Sequence, residues 1–126
     1  VHIDVEDGNF LPNITFGMKT VKEVAAYSKA ELDVHLLTTN PIKYIHELSE
    51  SGISAVCGHM EALPYPLEFL HEVRRTGMKA GLALNLSMPI EQINSYIGSF
   101  DYLLLMTSEP DSCGQRFRPG PAYRMR

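Results

Sequence analysis

The sequence predicts an α/β fold built on a parallel sheet, and three observations predict it. Short apolar runs recur at roughly 20- to 30-residue spacing, helix-length amphipathic segments separate them, and glycine stands where helices give way to strands. The first run, Val1 to Val5, precedes a segment in which Val21, Val24 and Ala25 space one apolar helical face. The second, Leu32 to Leu37, leads into Asn40-Pro41, which reads as an N-cap and first helical position before Ile42, Ile45 and Leu48. After Ile53 to Cys57, Pro66 opens a helix with Leu67, Leu70 and Val73 on one side. After Ala80 to Leu84, Pro89 opens another with Ile90, Ile93 and Ile97, and the last run is Tyr102 to Met106. Ser51-Gly52-Ile53 and Thr76-Gly77-Met78 are short turns from helix to strand. About five strands and four helices result, which suit either a doubly wound sheet or a parallel (β/α) barrel of TIM type. A whole barrel needs about 250 residues, so 126 residues supply a partial one.

Composition narrows the functional classes. A hydrophobic share of 44% fits one globular domain, residues 1–126, with a core of its own. The net charge is −4 and the 11 Lys and Arg are scattered, so neither nucleic acid nor a membrane surface is an expected partner. Cys57 and Cys113 are far apart with no Cys/His cluster near either, which argues against a disulfide framework and fits a reducing, cytoplasmic location. No stretch approaches the ~18 apolar residues of a membrane span, and no secretory pattern opens the chain. Because Val1 already reads as the start of a buried strand, the chain is expected to be the interior of a longer protein. Residues 111–126, rich in Arg, Pro and Gly, are expected to be an irregular tail.

The chemistry-bearing residues stand on the first two strands. His2 and Asp4 are two apart and so share a strand face, as do Asp33 and His35. Adjacent parallel strands lie ~4.8 Å apart, which brings His35 beside His2 and Asp4. Two imidazoles and a carboxylate form a first shell for a divalent metal such as Zn, Fe, Mn or Co. The plainer alternative is a set of strand-end polar residues that merely hydrogen-bond. His46 and His71 fall within helical segments and are assigned packing or solvated roles, and Asp7 with Gly8 a role in shaping a loop.

The run from His2 through Gly17, His2-Ile3-Asp4-Val5-Glu6-Asp7-Gly8-Asn9-Phe10-Leu11-Pro12-Asn13 with Phe16-Gly17, closely resembles the signature of the ribulose-phosphate 3-epimerase family. Further matches follow in order: Leu32 to Leu36, Asn40-Pro41 with Tyr44-Ile45, His59-Met60-Glu61-Ala62, Lys79 to Asn85, and Met106-Thr107 with Gly114 to Phe117. The resemblance implies a TIM-type barrel of which this chain supplies the family's second to sixth strands. It implies that His2, Asp4 and His35 bind a divalent metal and that Asp4 is also the catalytic acid/base. The implied reaction inverts the carbon beside the ketone of a ketose phosphate by removing a proton and returning one on the opposite face. Substrate contacts are implied at His35, Met106, Asp111, Ser112, Cys113 and Gly114, and a homo-oligomer is expected.

Departures from the family pattern bear on activity. Counted along the signature, the second catalytic aspartate, two of three phosphate loops and the first strand's serine fall outside this chain. The sixth-strand loop reads Glu109-Pro110-Asp111-Ser112-Cys113-Gly114-Gln115, with Asp111 and Cys113 where the family has glycines. Added negative charge there disfavours a phosphate dianion. Glu6 takes the place of a methionine, and His59 and Glu61 match a family strand end that fits an orientation toward the pocket or away from it. The alternative function is therefore a catalytically incomplete member of the family, a remnant or assembly module that keeps the core but not turnover. Barrel enzymes built on Asp-x-Lys-x-x-Asp fit less well, since Asp4-Val5-Glu6-Asp7 lacks the lysine, and a flavodoxin-like binder lacks its Gly-rich turn.

Overall fold

The computed structural model describes residues 1–109 and 119–125. Five strands form one sheet: β1 (His2–Glu6), β2 (Asp33–Leu37), β3 (Ala55–His59), β4 (Lys79–Leu84) and β5 (Tyr102–Leu105). Their spatial order is the chain order and every pairing is parallel. The helices are α1 (Met18–Tyr27), α2 (Ile45–Glu50) and α3 (Pro66–Arg75). The fourth expected helix is present as a 3-10 helix, Ile90–Tyr96. Its β-branched Ile90 and Ile93 and its Asn94-Ser95 pair are weak α-helix formers, which fits the tighter form.

Boundaries moved by a residue or two. The third strand starts at Ala55 rather than Ile53 and runs on to His59. The segment from Pro41 opens as a 3-10 turn, Pro41–Tyr44, before becoming α2, and the Asn40 side chain makes no capping bond. Gly120–Met125 form a short 3-10 helix, and residues 111–118 of the expected tail lie outside the described residues.

Alternation along the strands divides the sheet into two faces. Ile3, Val5, Val34, Leu36, Val56, Ala80 and Leu82 point to the outer face, where Val21, Ile45, Leu48, Phe69, Leu70 and Val73 from the three α-helices bury them. Each Val, Leu, Ile or Phe side chain so taken from water contributes about 1.5–3 kcal/mol. Gly58 on β3 lets the layers close, since a Cβ there would lie 3.1 Å from the Phe69 ring. At the end of α2, Gly52 takes φ 77°, and the amides of Gly52 and Ile53 bond back to Ser49 and Leu48. This left-handed cap drops the chain directly into the third strand. No helix among the described residues is long and apolar enough to cross a membrane.

Candidate metal centre

The inner face carries the alternate residues of the same strands: His2, Asp4 and Glu6 on β1, Asp33 and His35 on β2, Cys57 and His59 on β3, and Tyr102 on β5. The parallel register sets Asp4 opposite His35 and His2 opposite Asp33. Donor atoms of His2, Asp4 and His35 all lie within 4.8 Å of one another. His35 Nδ1 is 2.9 Å from Asp4 Oδ1, and His2 Nε2 is 3.3 Å from the same oxygen. Both imidazoles thus converge on one carboxylate oxygen, which leaves Oδ2 for another partner on a side chain that is 52% exposed.

Each imidazole is held from behind. His2 Nδ1 donates to Asp33 Oδ2 at 2.6 Å, and Tyr102 donates its hydroxyl to Asp33 Oδ1 at 2.8 Å. Tyr102 reaches Asp33 from three strands away by lying across Gly81 and Cys57. A Cβ on Gly81 would stand 2.5 Å from the Tyr102 ring and 2.8 Å from Cys57. On the other side His35 Nε2 meets His59 Nε2 at 2.9 Å, and His59 Nδ1 meets Glu61 Oε2 at 3.3 Å. The rings of His35 and His59 meet edge to edge with centroids 4.9 Å apart and planes 29° apart, and Phe10 packs 5.0 Å from His59.

Electrostatics keeps Asp4 and His35 in their ligating forms. The hydrogen bond from His35 holds the Asp4 carboxyl below its ordinary value against the opposing effect of burial, and both histidines add to the lowering. Burial, more than the bond to Asp4 can offset, holds His35 below the ordinary histidine value. A carboxylate and a neutral imidazole at neutral pH are what a cation requires. Burial pushes the Cys57 thiol far up, with Asp33 adding to the effect, and burial likewise raises the Tyr102 hydroxyl.

The loop after β1 is fixed by Asp7. Its Oδ1 accepts from the amides of Asn9 and Phe10 at 2.9 and 2.8 Å, and its Oδ2 from the amide and hydroxyl of Thr39 at 2.9 Å. The first two bonds close the loop on itself and the two from Thr39 tie it to the end of β2; together they outweigh desolvation, holding the Asp7 carboxyl at about 2. Asp7 therefore shapes the loop. Glu6, two residues past Asp4 on the same face, keeps a buried Oε2 with no hydrogen-bond partner.

The structure brings His2, Asp4 and His35 together and adds Asp33, His59, Glu61 and Tyr102 around them. Met106 follows β5 half-buried, its amide bonded to Leu84, in step with Tyr102 on the inner-face alternation. Asp111, Ser112, Cys113 and Gly114 lie outside the described residues. His46 is 84% exposed beside Glu50, and His71 is exposed, so neither approaches the site. Tyr102 was the residue that sequence reasoning passed over. Its signal was the bare position at Gly81 two strands' width from Asp33, which has meaning only once the register is known.

Comparison with known proteins bears on the fold and the family. Two solved structures of mutant tryptophan synthase alpha-subunits from Pyrococcus furiosus share the fold. One has a TM-score of 0.62 at 16% identity over 82% of this chain and 52% of that one, the other 0.55 at 19% over 70% and 38%. The ribulose-phosphate 3-epimerase of Mycobacterium bovis is 35% identical over all of this chain and 55% of its own length. The ribulose-phosphate 3-epimerases of Bacillus subtilis and Synechocystis are 38% and 36% identical over 93% and 94% of this chain. The chain thus spans about half the length of the curated relatives it matches. The sequence model of the ribulose-phosphate 3-epimerase family matches residues 1–126, and the chain belongs to that family.

Proposed function

We propose that this chain carries the cation-binding and proton-abstracting half of a ketose-phosphate epimerase site. The observation that supports it is the convergence of His2 Nε2 and His35 Nδ1 on Asp4 Oδ1. The donor set fits a divalent cation (Zn, Fe, Mn or Co): two nitrogens and one oxygen, with the far side of each imidazole already occupied. A bound cation would supply the positive charge that makes the carbon next to a ketone acidic enough to lose a proton.

The chain's own residues supply the rest. Asp4, held ionised by its histidines, is a weak base, so it works only on a carbon already acidified. Its Oδ2 takes the proton while Oδ1 stays between the imidazoles. Asp33 and His59 prevent His2 and His35 from turning away as charge shifts at Asp4. Glu6 Oε2, buried and without a protein donor, is placed to accept from a substrate hydroxyl. Return of the proton on the opposite face falls to a second acid that this chain does not provide among its described residues. The same reading carries a ketose phosphate as substrate, a cytoplasmic location and assembly with further copies of the chain.

The test is metal content together with deuterium uptake from D2O at C3 of ribulose 5-phosphate, measured for the wild type, Asp4→Asn and His35→Ala. The expected result is stoichiometric cation in the wild type, lost in both variants, with exchange that depends on Asp4. A wild-type chain that binds no cation overturns the reading. Cation binding with no exchange favours the alternative, a family member that keeps the site's metal-holding half without turnover.

A further inference from the structure

Behind His35 stand a further imidazole and carboxylate, His59 at the end of β3 and Glu61 just after it, bonded to each other and outside the three ligands. His59 is fully buried and the Glu61 side chain is 23% exposed. We infer that His59 and Glu61 are positioning residues for the cation site, which fix His35 with its proton on Nε2 and its Nδ1 lone pair turned toward Asp4. The inference rests on the cation reading above and deepens it.

A count of donors and acceptors carries the argument. When Nδ1 of a neutral His35 gives its lone pair to a cation, the ring proton is on Nε2. It is then donated across 2.9 Å to His59 Nε2, which accepts. His59 in turn carries its proton on Nδ1 and donates to Glu61 Oε2 at 3.3 Å. Every nitrogen has a suitable partner, and the series ends on a carboxylate that only accepts.

The rings have little room to turn, since His59 is held between His35 and Phe10 with centroids 4.9 and 5.0 Å away. His35 Nδ1 therefore stays facing Asp4 at 2.9 Å, and acceptance of the Nε2 proton by His59 is the arrangement that frees Nδ1 for a cation.

The experiment titrates Co2+ into the full chain, read by cobalt visible absorption and calorimetry, for the wild type, Glu61→Leu, Glu61→Gln and His59→Phe. Nitrogen NMR of the Zn2+-loaded wild type reads the tautomers. Loss of such a partner weakens affinity by about 10- to 100-fold, so that fall is expected for Glu61→Leu and His59→Phe. Glu61→Gln, which keeps a carbonyl acceptor, recovers part of it. His59→Phe keeps an aromatic ring at the buried position, and the Glu61 variants alter a partly exposed side chain, so circular dichroism should show all three folded. The NMR spectrum should place the proton of His35 on Nε2 and that of His59 on Nδ1. Wild-type affinity in Glu61→Leu and His59→Phe, or His59 protonated on Nε2 in the loaded protein, overturns the inference while leaving the cation site standing. No Co2+ binding by the wild type removes both, and the wild-type titration alone reveals that.

Discussion

The two faces of the sheet are made by alternate residues of the same strands, yet they are held by different forces. Outward, Ile3, Val34, Val56 and Leu82 meet helix side chains with no directional demand, and volume is the main requirement. Inward, His2, Asp4, Asp33, His35, His59, Glu61 and Tyr102 each have a named partner at hydrogen-bond distance. The outer face specifies that a sheet forms, and the inner face specifies where lone pairs point. Damage to one should register as lost stability and damage to the other mainly as lost ligand affinity.

The largest expected effect tests that separation on the outer face. Phe69, fully buried on α3, should cost about 3–5 kcal/mol when cut to alanine, measured by urea unfolding. Beside it, His35→Ala should lose cation affinity at a smaller cost in stability. If His35→Ala destabilises as much as Phe69→Ala, the faces do not differ as described.

Next comes Gly81→Ala, where a methyl group 2.5 Å from the Tyr102 ring forces that ring aside and should cost about 1–3 kcal/mol. Tyr102→Leu in the same chain should make the alanine cheaper, a coupling on the order of 1 kcal/mol in a double-mutant cycle. Additive costs would mean that the tyrosine does not depend on the bare backbone beneath it.

Asp7→Asn keeps the loop's shape but removes its charge, with an expected cost of about 1–2 kcal/mol at pH 7. Because the folded carboxyl titrates at about 2, below its ordinary 3.8, its contribution is complete above pH ~4 and is lost as pH falls toward 2. Unfolding midpoints across that window should therefore fall more steeply for the wild type than for Asp7→Asn, and parallel curves would contradict the assignment. Smallest of all, His46→Ala removes an 84% exposed helix histidine and should change stability by no more than about 0.5 kcal/mol. Equal cation affinity in that variant would show that position on the inner face, not residue type, makes a histidine matter.

Much of this was legible in the sequence because strand alternation is a local property. His2 with Asp4, and Asp33 with His35, announce a shared face from spacing alone, and parallel neighbours at a fixed separation bring the pairs together. Local signals likewise placed Gly52 and Gly77 between helix and strand. What spacing could not reach was contact across several strands: Tyr102 to Asp33 depends on Gly81 and on the register of three pairings. The reciprocal facing of His35 and His59 was also out of reach, because it depends on how far β3 runs on past Cys57, and strand ends are set by tertiary packing. The 3-10 form of Ile90–Tyr96 was missed because apolar spacing alone does not tell it from an α-helix.

Cys57 sits under the Tyr102 ring, fully buried, with its thiolate strongly disfavoured. A sulfur so placed is chemically silent until β3 and the ring part, so its rate of alkylation at a given site in the chain is a clock for how often the inner face opens. Read peptide by peptide, that clock would run without any engineered label, and a bound cation that braces the histidines above it would slow the tick.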